Sequence, residues 1–429
     1  MQWSALTALA LAALVHTAPT AVAAPVEGPA PAPAPAPNSA PRHGLPVVHT
    51  TTTSTGQVID WVKPESQAGG KIAKPPASPP PRSKARAKAK RAGTGPGRGA
   101  ITPTLEQLLH DPAVKGPDGT VPILRSTAGG GPTTLPPKRL PRAEDHAVAN
   151  ASDPLQQQHE QRSYAGTHWY ASSNQFVTSR GGMATFSLFG PYTQRRSDFS
   201  LLQTAVVRGG AAHAGTGPVD QTVEAGWIAY PDQASPPHLF AYYTTNGYAA
   251  DGDGIGGWNR DHAGWVQTDA SVYPGVGFSP LSVDGGTQYE MEICYQLDGG
   301  NWWLWVLDRW IGYYPGALFA AGGVAVDDTL GGHSDRIHFY GEIYNSGDDM
   351  TTTDMGSGQF AESGWYHSAY QHNIVYYDLN NNAVDYDAGG NFVISDSGRY
   401  SLVSHFKSGN EWGSYMYLGG PGAGGVIGG

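Results

Sequence analysis

A single cysteine, Cys294, stands in 429 residues, so no disulfide can close within the chain. In "QYEMEICYQL" it alternates with Glu290, Glu292 and Gln296 against Tyr289, Met291, Ile293, Tyr295 and Leu297. That places it on the more polar side of an extended segment, and we read it as structural rather than nucleophilic. Apolar runs long enough to span a bilayer are missing: the stretch Ala5 to Val15 is too short and too alanine-rich. Apart from that stretch and "LEQLLHDP", no window repeats apolar residues at helical spacing. Also missing are a His-Glu-x-x-His helix, a Gly-x-Ser-x-Gly elbow, a glycine-rich phosphate loop and any cysteine cluster. "DGDGIGGWNRD", from Asp251, has the look of a calcium loop, but Ile255 falls where a ligand is needed and no glutamate closes it. It reads as a glycine-rich turn. No metal or other cofactor is expected, and no nucleic acid as a partner of the C-terminal domain.

What is present divides the chain in three. Residues 1–23 read as a secretory signal ending in the small-residue pattern Ala21-Val22-Ala23, although no Lys or Arg precedes the apolar run. Export without a membrane anchor is the expectation. Residues 24–152 are rich in Pro, Gly and basic residues, as in "PAPAPAPAP" and "PPASPPPRSKARAKAKRAGTGPGRG", and too poor in large apolar residues to build a core. We expect this pro-segment to be largely disordered, with "TTTSTGQVIDWVKPESQ" and "ITPTLEQLLHDPAV" as the patches able to fold or dock. Charge sharpens the division: residues 1–154 carry 16 Lys plus Arg against 9 Asp plus Glu, whereas residues 155–429 carry 10 against 27. A basic leader ahead of an acidic domain suits a detachable intramolecular inhibitor whose hold weakens as carboxylates protonate; a solubilising or nucleic-acid-binding tail has the same composition. Lys90-Arg91 and Lys138-Arg139 are dibasic pairs open to processing, and Asn150-Ala151-Ser152 is a glycosylation sequon at the junction.

Residues 153–429 alternate in strand-sized segments separated by turn dipeptides such as Asn246-Gly247, Asp284-Gly285 and Gly299-Gly300. The expected fold is all-β, an antiparallel β-sandwich of two twisted sheets. Two of its strands each carry one glutamate on an otherwise uncharged side. Glu224 in "TVEAGWIAYP" shares its side with Gly226, Ile228 and Tyr230; Glu342 in "IHFYGEIYN" shares its side with His338, Tyr340 and Tyr344. Two strand-edge or solvent-face glutamates would give the same pattern. If instead they meet in one cleft, they share a proton and can act as general acid and base on a water.

The blocks "TVEAGWIAYPD", "HLFAYYTTNGY", "GFSPLS", "GTQYEMEI", "GNWWLWV", "IGYYPGALF", "FYGEIYNSG" and "TTTDMGSGQF", in this order, resemble the neprosin domain of glutamic peptidases over roughly residues 165–405. A weaker match at "GQVIDWVKPESQ" resembles that family's activation segment. The resemblance implies Glu224 and Glu342 as the catalytic pair, an antiparallel β-sandwich, and endopeptidase cleavage of polypeptides, typically after proline at acidic pH. The cysteine pair that plant-like members carry after the "DGY" block is absent here, which bears on subsite specificity. Aromatic faces suit a proline ring, so Trp227, Tyr230, Tyr242, Tyr340 and Tyr344 are candidate cleft liners, with Gln288 a candidate holder of the water or oxyanion. Trp302, Trp303 and Trp305 are read as core. A secreted carbohydrate-binding or glycoside-hydrolysing β-sandwich is the alternative.

Overall fold

The computed structural model of the chain describes residues 41, 43–84, 100–104, 114–125, 138–142, 163–249 and 256–429. The signal stretch, Lys90-Arg91, "LEQLLHDP", the sequon and residues 251–255 of the calcium-like loop lie outside the described residues. In the pro-segment the strands are β1 (Val47–Thr52), β2 (Val58–Val62), β3 (Ala100–Ile101) and β4 (Val121–Leu124). The C-terminal part continues with β5 (Thr167–Ser179), β6 (Gly181–Ser187), β7 (Phe199–Ala211), β8 (Val219–Tyr230), β9 (Ala234–Thr244), β10 (Gly257–Trp258), β11 (Val266–Gln267) and β12 (Gln288–Asp298). It closes with β13 (Asn301–Val306), β14 (Arg309–Pro315), β15 (Ser334–Asn345), β16 (Ala369–Tyr377), β17 (Ala383–Asp385), β18 (Phe392–Ile394), β19 (Ser401–His405) and β20 (Tyr415–Gly419).

These strands make the expected sandwich. One sheet runs β10-β9-β8-β7-β15-β5-β18; the other runs β11-β14-β13-β12-β6-β16-β20-β19, with β17 beside β16 and β3 beside β12. Alternation decides what each face meets. On β12, Met291, Ile293, Tyr295 and Leu297 enter the core between the sheets; on β13, Trp302 and Leu304 do the same, opposite Trp169, Leu202, Val223 and Trp227 of the first sheet. Trp303 and Trp305 have the other parity and point away, into an aromatic cluster on the outer face with Trp310, Tyr313 and Tyr377. The core reading holds for all three, Trp302 between the sheets and Trp303 and Trp305 buried in the outer cluster. "NWWLWVLDRWIGYYP", which reads as one segment, folds as the β13–β14 hairpin. Leu307 and Asp308 form its turn with φ of 52° and 59°, a left-handed pair whose twist matches that of the flanking strands.

The patch "TTTSTGQVIDWVKPESQ" folds against the sandwich, as expected of it; β4 and the proline-rich residues 71–83 lie against it too, where composition alone leads us to expect disorder. β1, β2 and β4 form a small antiparallel sheet whose Ile59, Trp61 and Leu124 join the main core. It is too small to supply a core of its own, so it borrows one. Gln57 donates to the Gly275 carbonyl at 2.8 Å, and Gln67 exchanges two amide hydrogen bonds of 2.9 Å with the backbone of Gln267. At the centre of this small sheet Asp60 is buried and accepts from Thr50 (2.8 Å) and from both Nε (2.8 Å) and Nη2 of Arg125, with the His43 ring at 3.1 Å. Burial alone would raise its pKa; the hydrogen bonds from His43, Arg125 and Thr50 override it and hold the carboxyl at about 2. A depressed carboxyl stabilises the fold above its unfolded pKa near 3.9, and that contribution is lost as pH falls through about 2. Asp60→Asn strands a buried Arg125 and is expected to destabilise the small sheet by about 3–5 kcal/mol. Amide hydrogen exchange of β1, β2 and β4 checks this, and unchanged protection would contradict it.

Cys294 lies on the outer side of β12 as the alternation requires, yet it is buried, with Tyr377 Oη at 3.5 Å. Burial pushes its thiol up, away from the reactive thiolate. Alkylation by iodoacetamide at pH 8 is expected only after unfolding, read by mass; prompt labelling of the native chain would contradict the assignment.

Candidate active site

The two glutamates come from strands that are not neighbours. β7 lies between β8 and β15, pairing Ala205 with Glu224 on one side and Leu201 with Glu342 on the other. Gln203 therefore stands between the two carboxylates on the same face, which is the face of the seven-stranded sheet turned away from the core. The approach of β7 and β8 is close. A Cβ on Gly226 would sit 1.9 Å from the Leu202 carbonyl oxygen, so this glycine is required by the neighbouring strand itself.

Both carboxylates are fully buried, and each is divided in function between its oxygens. Oε1 of Glu224 accepts from Tyr248 Oη at 2.7 Å and Thr222 Oγ1 at 2.9 Å; Oε1 of Glu342 lies 2.7 Å from Nδ1 of His168. The Oε2 oxygens point to one shared position. There Nζ of Lys138, from the pro-segment, donates to Glu224 Oε2 at 2.7 Å, to Glu342 Oε2 at 3.1 Å and to Gln203 Oε1 at 2.6 Å. Gln203 Nε2 in turn donates to Glu224 Oε2 at 2.9 Å, with Tyr340 Oη 3.5 Å from the same oxygen. All three ammonium protons are used, and the rings of Phe240, Tyr242, Trp258 and Tyr340 lie 5.6–5.9 Å from the cation.

Desolvation pushes the Glu342 carboxyl up, but the Lys138 charge and the His168 hydrogen bond outweigh it and hold the group below its usual range. Burial pushes the phenols of Tyr242, Tyr248 and Tyr340 upward, and the Glu224 charge adds to it, so they stay protonated as hydrogen-bond donors or packing groups. The chain following Lys138 stays in the cleft: Leu140 packs on Tyr170, Ala205 and Tyr340, the Arg139 carbonyl accepts from Tyr170 Oη at 3.1 Å, and the Arg139 guanidinium covers that ring. Lys138 is buried, so the Lys138-Arg139 pair is closed to a processing protease while this segment is in place.

Among the aromatic candidates, Tyr242 and Tyr340 line the lysine cage. Tyr344 faces the His168 ring at 5.0 Å, and Tyr230 lies further along the same face, edge-on to Phe199. Two candidates are corrected. Trp227 belongs to the core between the sheets, its indole donating to the Ser187 carbonyl at 2.7 Å, because its parity on β8 is opposite to that of Glu224. Gln288 clamps a loop by donating to the carbonyls of Val283, Gly286 and Tyr366, away from the carboxylates. The groups that sequence reasoning missed are Gln203, His168, Tyr248 and Lys138. Gln203 had a visible signal, a lone amide in the apolar run "SLLQTAVV"; the others come from distant segments. Among the described residues no three His, Cys, Asp or Glu side chains converge as metal ligands.

In comparison with known proteins, the Neprosin family model matches residues 196–421. Two solved structures are similar: Scytalido-glutamic peptidase with a peptide-based transition state analogue, and SCP-B, a member of the Eqolisin family of peptidases, in a complex with the tripeptide Ala-Ile-His. Each is 7% identical over 59% of this chain and 97% of the other, with TM-scores of 0.27 and 0.26.

Proposed function

This chain belongs to the neprosin family of glutamic peptidases, and from that premise we propose that it is a secreted, acid-active endopeptidase that cuts polypeptides after proline and is made as a latent precursor. One observation carries the reading: Glu224 and Glu342 each commit one oxygen to the protein and direct the other at a single shared point. In the mature enzyme a water takes the place of the Lys138 ammonium at that point. One ionised carboxylate accepts a proton from the water as it attacks the scissile carbonyl carbon. The protonated partner donates its proton to the carbonyl oxygen; the carboxylate that took the water's proton then passes it to the leaving amine, and the partner recovers a proton from the gem-diol as the C–N bond breaks and the new acid forms. Gln203 Oε1, freed of Lys138, accepts from the water and orients it. Once the lysine charge is gone, two carboxylates this close hold one proton between them over an acidic range, and its apparent pKa values belong to the pair.

Proline preference is supported by the rings of Phe240, Tyr242, Trp258 and Tyr340, which wall the shared point and offer flat faces to a pyrrolidine ring. Latency is supported by Lys138, which fills the point a substrate and water need. Digestion of a series of proline-containing peptides by the leader-free protein, from about pH 2 to 8, tests the reading. Cuts after proline confined to the acid side are expected. A folded, leader-free protein that cuts no peptide overturns it, and release of reducing sugar from a polysaccharide would favour a glycosidase.

A further inference from the structure

Residues 71–83, Lys-Ile-Ala-Lys-Pro-Pro-Ala-Ser-Pro-Pro-Pro-Arg-Ser, cross the outer face of the ten-stranded sheet, on the side of the sandwich opposite the carboxylate pair. Five prolines keep this stretch extended and without internal hydrogen bonds, leaving its carbonyls to be read from outside. The sheet reads them through aromatic side chains. Trp310 Nε1 donates to the Ser78 carbonyl at 3.1 Å and Tyr377 Oη to the Pro81 carbonyl at 3.0 Å, while Tyr313 Oη accepts from the Ala73 amide at 3.0 Å. At the end of the proline run Arg82 meets Glu292 with Nε–Oε1 at 3.0 Å and Nη2–Oε2 at 2.8 Å, and Ser83 donates to Asn373 at 2.7 Å. Aromatic donors along an extended proline run, closed by an acid on an arginine, form a general recognition mode for proline-rich peptides. One donor is unused: Trp305 Nε1 is buried in this cluster without a partner.

We propose that this face is a second, non-catalytic binding site of the mature protein. When the leader leaves, it takes a proline-rich segment of a polypeptide substrate, prolines followed by a basic residue, in place of residues 71–83. The proposal rests on the reading that the leader is removed from a peptidase. Its consequence is recruitment: a proline-rich chain held on the outer face raises the local concentration of its cleavable bonds near the cleft. Covering the face with its own leader also keeps Trp303, Trp305 and Trp310 from water until maturation.

The test separates binding from catalysis. The full chain carrying Glu224→Gln, with residues 71–83 replaced by a Gly/Ser stretch, is titrated with a synthetic peptide of residues 71–83 by tryptophan fluorescence and calorimetry. One-to-one binding is expected, weakened about tenfold or more by Trp310→Ala and several-fold by Glu292→Gln or by Arg82→Ala in the peptide. If the replaced chain does not fold, full-length protein with only Arg82→Glu serves instead, and it is expected to bind the peptide where the parent does not. In processed enzyme with Glu224 intact, Trp310→Ala is expected to raise KM for a long proline-rich substrate while leaving kcat and the hydrolysis of short peptides unchanged. No binding to a folded, uncovered chain, binding indifferent to Trp310 and Glu292, or displacement by xylo- or chito-oligosaccharide in preference to the peptide overturns the proposal. A protein that binds but never cleaves would fail the peptidase reading alone.

Discussion

Glu224→Gln or Glu342→Gln in the processed protein is expected to lower turnover of a proline-containing peptide by about 100- to 10,000-fold, the usual worth of one positioned acid or base. Glutamine keeps the volume and most of the hydrogen bonds, accepting at Oε1 where Tyr248 and Thr222, or His168, now donate, so the loss is in chemistry. The double variant should fall little below the worse single one, because a pair that shares one proton acts as a unit. Single-turnover rates with matched melting curves check this. A variant that keeps more than about a tenth of the parent rate removes that glutamate from the mechanism.

Lys138→Met is expected to have the second largest effect, in the opposite direction. The side chain is wholly buried and supplies all three of its donors to Glu224, Glu342 and Gln203. Removing one partner from such a group costs about 3–5 kcal/mol, because the remaining charges stay buried and unpaired. Here the loss falls on the docking of residues 138–142, so the unprocessed chain opens its cleft roughly 100- to several-thousand-fold more often. Acid should do the same to the parent. With residues 138–142 in place, Glu342 is held below its usual range, chiefly against desolvation, by Lys138 and then His168. A depressed carboxyl contributes above its unfolded pKa near 4.3, and that contribution is lost as pH falls through the lower folded value. Cleavage near residues 138–142 by an added protease active across this range, followed by gel from pH 7 downward, should therefore accelerate on the acid side in the parent and start near neutrality in Lys138→Met. A variant as latent as the parent at every pH would show that the lysine is a bystander.

Much of this was readable from residue order. Period-two alternation located the strands of the sandwich and put Glu224 and Glu342 on uncharged sides. The same rule places Trp227 on the side away from Glu224, so a place for it among the cleft liners goes against its own parity. What alternation cannot supply is strand order: β7 between β8 and β15 is a topological fact, and it alone turns Gln203 into the link between the carboxylates. In the sequence Lys138 looks like half of a processing signal because its partners are 65, 86 and 204 residues away in the chain. The composition of residues 71–83 predicts disorder because the stretch cannot build a core; it is ordered because the outer face of the ten-stranded sheet provides one.

The N-terminal 152 residues touch the sandwich in separate places: a small sheet against Gly275 and Gln267, residues 71–83 over the outer face, β3 beside β12, and residues 138–142 across the carboxylates. In one continuous chain each contact holds the others at an effective concentration on the order of millimolar. A single nick therefore breaks a covalent bond without freeing the cleft, and it makes residence of each fragment a matter of dilution. Maturation would then show a lag after cleavage that shortens as the protein is diluted and lengthens when released leader is added back.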